Sequence, residues 1–154
     1  MTTHNDTPAA TATAAELYEH IMSANTDDGL EWPRAEITLD DANDTLVFEL
    51  FDYGHLTLTL SKSEDEWVAM TTITALERVN DQTAFNEELL RQGVMLPLAS
   101  IGIVTIDERD YYVAYGQLFA DSKLASICAE LHATASAAME VARLIQTHFS
   151  APAR

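Results

Sequence analysis

The chain holds one cysteine, Cys128, which excludes an intrachain disulfide and any cysteine-rich zinc site. It falls at helical spacing among apolar residues and reads as a buried small hydrophobe, not a reactive thiol. No run of about 18 apolar residues occurs, so no membrane-spanning helix is expected. The N-terminus lacks a basic region followed by an apolar stretch, so no signal peptide is expected either, and the two absences together point to the cytoplasm. The five glycines are scattered, with no G-x-G-x-x-G and no glycine-rich turn before Lys-Ser/Thr, so the usual nucleotide-binding loops lack their parts. No G-x-S-x-G occurs. His4, His20, His55, His132 and His148 show no metal-ligand spacing, and Glu16 and His20, one helical turn apart, read as an ordinary surface pair. The expectation is no catalytic residue, no metal and no cofactor.

Cations are the scarcest class relative to their opposites. Eight Lys and Arg face 25 Asp and Glu, a formal charge of −17. The excess is uneven, since residues 1–66 carry 15 acids against Arg34 and Lys62 alone. Such a surface repels phosphate backbones and anionic headgroups, which argues against nucleic acid and direct membrane insertion. It favours a protein partner with a basic or amphipathic segment; the plainer alternative is that acidity serves solubility. Paired acids such as Asp27-Asp28, Asp40-Asp41, Glu64-Asp65-Glu66 and Glu87-Glu88 lie in expected turns or on a helix face, where water and not the desolvated surroundings of a catalytic carboxylate is expected.

A length of 154 residues suits one domain with its own core. Residues 1–13 are small and polar and read as a disordered leader, 14–149 as a single α+β domain, and 150–154 as a tail. A first helix is expected over 14–24, with Leu17 and Ile21 on its inner side and Thr13 as N-cap. The period then drops to two. Ile37 and Leu39 alternate with polar neighbours, Thr45 to Phe51 reads as a strand, and Tyr53-Gly54 as a tight turn. His55 to Leu60 alternates cleanly, its leucines facing one way and His55, Thr57 and Thr59 the other. After an acidic turn over 61–66, Trp67 to Ala75 continues the sheet. A second helix spans about 83–92, with Asp81 or Thr83 as cap and Gly93 at its C-terminus. Val94 to Ile106 reads as a strand region, 107–110 as a turn and Tyr111 to Leu118 as a tyrosine-rich strand. Asp121-Ser122 is expected to cap a long helix over 123–149 with an alanine-rich middle. The order α-β-β-β(-β)-α-β-β-α has connections too short for helical crossovers, so the sheet is expected to be mainly antiparallel, with the last helix packed on it.

The most unusual segment runs from Leu96 to Leu118. Tyr111, Val113 and Tyr115 share one strand face; Tyr112, Ala114 and Gly116 share the other. Tyrosines combine apolar area with a hydroxyl, as interfaces do, and Gly116 leaves room for another chain to approach. Leu96, Leu98, Tyr111, Tyr112, Tyr115, Gly116 and Leu118 are therefore the candidate partner-binding residues; the competing reading makes them a core strand with an aromatic edge.

Leu96-Pro97-Leu98, Gly102-Ile103, Tyr111-Tyr112, Tyr115-Gly116-Gln117-Leu118 and Ser122 resemble the pattern of the YjfI-like family, an uncharacterised bacterial family of small cytosolic proteins. The resemblance covers about 94–145, with Ala99, Gln117 and Phe119 departing from the pattern. It implies an accessory role near a membrane-stress system built on homologues of phage-shock protein A, and supplies no catalytic residues. The element order is also similar to that of type III secretion chaperones and YbjN-like proteins, which are small, acidic and often dimeric and bind extended partner segments. The expectation is a non-enzymatic, chaperone-like or regulatory protein-binding module of the cytoplasm. A small-ligand binder or enzyme with an unrecognised site and a homodimeric structural subunit are the alternatives.

Overall fold

The period-two segments form one six-stranded, wholly antiparallel sheet in the order β1-β2-β3-β4-β6-β5. The computed structural model describes residues 13–23 and 28–150. The strands are β1 (Ala35–Asp40), β2 (Thr45–Leu50), β3 (Leu56–Lys62), β4 (Glu66–Ala75), β5 (Ser100–Ile106) and β6 (Arg109–Phe119). The helices are α1 (Ala14–Met22), α2 (Gln82–Gln92) and α3 (Leu124–Leu144), the last continued by a π-helical turn, Ile145–Phe149. The expected α+β architecture, with a long C-terminal helix on an antiparallel sheet, is what the chain adopts. Most of the leader and the tail lie outside the described residues.

Register assigns the two faces. Ile37, Phe48 and Leu58 stand opposite one another on one face, as do Leu46, Leu60 and Ala69. Alternation carries that face across to Ala114 and Tyr112. All three helices cover it. Leu17 and Ile21 of α1 join Phe48, Leu58 and Trp67; Phe85 and Leu89 of α2 join Tyr112; Ala137 and Ala138 of α3 lie against Ala99 and Ala114. Small side chains at that last contact let α3 approach the sheet closely. No helix among the described residues lies on the opposite face. Thr38, Val47, Thr59, Met70, Tyr115 and Ser100 form one row across it.

Several boundaries differ from expectation. Thr13 caps α1 as foreseen, accepting from the Glu16 amide. His55 is not in β3: with φ at 57° it belongs to the left-handed turn that Gly54 begins, and the strand starts at Leu56. α2 ends at Gln92 with Gly93 as its C-cap, as foreseen, but Gly93 does not turn left-handed. It stays right-handed helical and opens a 3-10 turn over Gly93–Met95. Val94 to Leu98 are therefore not strand. Pro97 has no N–H to give a ladder, Leu98 has a φ of 66°, and β5 begins only at Ser100. Asp121 and Ser122 do not cap α3, because the Ser122 amide closes a turn onto the Phe119 carbonyl and the helix starts after Lys123 without a side-chain cap. No helix among the described residues is long and apolar enough to cross a membrane.

Candidate protein-binding edge

Strand alternation divides the tyrosine-rich segment between two environments. Tyr111 and Tyr115 point to the uncovered face and are half-buried there. Tyr112 points under the helices and is 1% exposed. Its ring meets Phe85 edge-on at 4.9 Å, and its hydroxyl donates a short hydrogen bond to Asn86 Oδ1. Burial holds its pKa above the usual phenol value. Gly116 is also covered: a Cβ there would come within 1.5 Å of Glu130 Oε1. The close neighbour that needs its glycine is thus α3 of the same chain. Leu118 is half-buried against the core cluster that contains Trp67, and Leu96 against the alanine contact of α3. Tyr112 and Gly116 are therefore core residues, correcting their assignment to an exterior contact. A continuous strand segment cannot present all its residues to one side. Of the seven, Leu98 alone is fully exposed, at 67%.

Exposed apolar surface lies just upstream instead. Leu90 is 80% exposed, Val94 84% and Met95 79%, and Ile103 on β5 is 49% exposed. Leu90 and Ile103 border a groove of about 340 Å³ between α2 and β5, whose other walls include Asn86, Leu89, Ile101 and Tyr112. Its lining is mostly apolar, with Asn86 and the Tyr112 hydroxyl as its polar points. β5 is the outer strand on this side, since β6 takes its inner edge. Acids occur on the elements that supply the groove. Glu87 and Glu88 lie on α2, the first paired with Arg91 at 2.7 Å. Asp107, Glu108 and Asp110 lie in and beside the β5–β6 turn, near the ion pair of Arg109 with Glu77. One sequence signal for this surface existed: Leu90, next to Leu89, sits about 100° around the helix from the inward stripe.

The remaining polar clusters hold the fold together. His132 Nε2–H donates to the Glu31 carbonyl at 2.7 Å, which leaves Nδ1 to accept from the Tyr53 hydroxyl at 2.7 Å. The Cys128 thiol also points at the Glu31 carbonyl, 3.4 Å away, and burial together with Asp28 and Glu31 pushes its pKa up to about 11. It stays protonated at neutral pH and behaves as the buried hydrophobe expected. Asp28 gathers the Trp32 indole N–H, His20 Nε2 and the Leu30 amide at 2.8–2.9 Å, so His20 pairs across the loop with Asp28. No group of three or more His, Cys, Asp or Glu able to hold a metal occurs among the described residues. His4 lies outside them.

A family model for uncharacterised proteins conserved in bacteria, DUF2170, matches residues 12–149. The chain belongs to that family. It is similar to the uncharacterised protein YjfI of Escherichia coli K12 and of E. coli O157:H7, 26% identical to each over 116 residues, 75% of this chain and 87% of theirs. In fold it is similar to the crystal structure of YbjN from E. coli, a protein provisionally assigned as a transcription regulator. The TM-score is 0.59 at 8% identity, covering 91% of this chain and 96% of that one. A likeness at that identity carries the fold alone. The expected likenesses to YjfI-like and to YbjN-like proteins are thereby shown.

Proposed function

We propose that this DUF2170 protein is a non-enzymatic, cytoplasmic binding module that engages another protein through the apolar surface formed by Leu90, Val94, Met95, Leu98 and Ile103. The observation that carries this reading is the exposure of those five side chains, two of which, Leu90 and Ile103, line a preformed groove. Soluble monomers expose scattered apolar residues freely, but concentrations of this kind mark contact surfaces. A charge of −17 favours a partner segment with basic or amphipathic character, and disfavours a phosphate backbone. Any regulatory role of the kind assigned to YbjN would then run through protein contact. An accessory role beside a phage-shock-protein-A-like system is what the family resemblance adds.

A small ligand is the second reading, since the groove falls within the usual volume range for such sites. It leaves the exposure of Val94, Met95 and Leu98 without a purpose. The test is affinity capture from native lysate with three forms of the protein: unaltered, Leu90→Glu with Met95→Glu, and Tyr111→Ala with Tyr115→Ala, each checked by circular dichroism for folding. The reading expects one dominant protein, lost by at least tenfold with the first pair. Equal recovery by the unaltered protein and the Leu90/Met95 variant would show that this surface is not the contact.

A further inference from the structure

Building on the protein-binding reading, we infer that β5 receives an extended segment of the partner, alternating basic and apolar residues, which joins the sheet as a seventh strand and places its apolar side chains in the groove under α2.

The two edges of the sheet are not equivalent. β1 carries Glu36 and Asp40, and it follows Pro33 and Arg34. Charges and prolines of this kind are how sheets discourage further strands. β5, Ser-Ile-Gly-Ile-Val-Thr-Ile, has no charge and no proline. Its outer backbone groups face away from β6, its one strand partner. Four of its seven residues are β-branched isoleucine or valine, the composition that favours pairing.

The groove gives the incoming strand a place for side chains. Ile101 and Ile103 belong to the helix-covered face, opposite Ala114 and Tyr112 on β6. A strand added beside β5 continues that face, so every second side chain projects toward Ile103, Leu89 and Leu90. The intervening side chains project to the uncovered face, beside Val104 and Ser100. The seven residues of β5 span about 23 Å at 3.3 Å per residue. The newcomer starts beside Asp107 and Glu108 of the β5–β6 turn, and lysine or arginine in the segment is drawn by the chain's overall charge of −17. A helix laid in the groove fills the apolar space but leaves the β5 backbone unpaired. A second copy of this chain pairs the backbone but brings two charges of −17 together.

The probes are synthetic fluorescent peptides of about nine residues. One alternates lysine and valine; one is the same peptide with its backbone N-methylated throughout; one replaces lysine by glutamate; one arranges lysine and leucine at helical period. Fluorescence anisotropy at low salt is expected to show binding of the first peptide, at least tenfold weaker for the methylated and glutamate versions and for the Ile103→Glu protein. Amide exchange is expected to slow at about every second residue of 100–106 and to stay unchanged in β1. Equal binding of the methylated peptide, absence of binding, or protection at β1 instead of β5 overturns the inference. If the helical-period peptide alone binds, and Leu90→Glu abolishes it, the edge inference falls while the protein-binding reading stands. If sedimentation shows a dimer that Ile103→Glu dissociates, the occupant is a second copy and the inference is wrong. Failure of the lysate experiment with the Leu90 and Met95 pair, by contrast, removes the reading on which both rest.

Discussion

Glu130 is a charged residue type in the middle of the core, 3% exposed on α3 and lying over Gly116. Its one hydrogen-bond donor among the described residues is the Thr134 hydroxyl, at 3.3 Å. Burial raises its pKa, and the Thr134 bond opposes that without cancelling it. The stability consequence follows from linkage. Below the ordinary carboxyl range both folded and unfolded chains hold the proton, and the group costs nothing. As pH rises through that range the unfolded chain ionises first, so stability falls until the folded group ionises too, and the full cost persists above. Glu130→Gln keeps the shape and an oxygen for Thr134. It is expected to raise Tm at pH 7 by about 2–4 °C, what one imperfectly compensated buried polar group is worth in a chain this size. Melting curves from pH 3 to 8 should show the gap closing on the acid side; a gap independent of pH would mean the carboxylate is not the cause. Nothing in the local sequence marked this residue. Glu130 sits between Ala129 and Leu131 on the amphipathic helix, and only the close approach of α3 to β6 puts it inside.

Among elements, the legible ones were those whose pattern and environment agree. Leu56, Leu58 and Leu60 alternate with threonines because one side of β3 is helix-covered and the other is not, and α3 was legible from its long stripe for the same reason. The segment from Gly93 to Ala99 was not, since apolar composition alone does not say whether a neighbour exists to bury it. The exposure of Val94, Met95 and Leu98 goes with strand order: β4 and β5 both pair with β6, which leaves β5 outermost, and that is a long-range fact. Hence the candidate residues on β6 were placed on the right strand, while the exposed surface lay on α2 and the edge beside it. The β5–β6 hairpin carries a cost that was legible in part. Ile106 pairs with Arg109 across a two-residue loop, and Asp107 and Glu108 both have positive φ, 50° and 66°. That is the primed turn geometry, which suits Asn-Gly. Replacing Asp107 with Asn and Glu108 with Gly is expected to stabilise by about 1 kcal/mol by relieving left-handed strain. Urea unfolding should show a higher midpoint with an unchanged slope; no gain would mean the acids compensate through contacts of their own.

At the scale of the whole molecule, one charge distribution acts on two processes in opposite senses. Twenty-five acids against eight bases repel one another within the folded chain, most strongly in the half that contains α1 and β1 to β3. Compactness raises that repulsion, because the unfolded chain can spread its charges. The Arg–carboxylate ion pairs relieve little of it: Arg34–Asp52, Arg91–Glu87 and Arg109–Glu77 are surface pairs, and each leaves the surrounding acids unneutralised. Salt shortens the reach of such interactions from about 30 Å at 0.01 M to about 8 Å at 0.15 M. Folding stability is therefore expected to rise as salt increases across that range, with Tm climbing by several degrees. Association with a basic partner segment depends on the same field with the other sign, so its rate is expected to fall at least tenfold over the same interval. The apolar contacts of Leu90 and Ile103 do not depend on this field, and dissociation should change far less. Calorimetry and stopped-flow binding of the lysine–valine peptide, run in matched buffers, measure both. A salt-independent association rate alongside a salt-dependent Tm would assign the acidity to solubility and leave the apolar edge as the whole of the recognition.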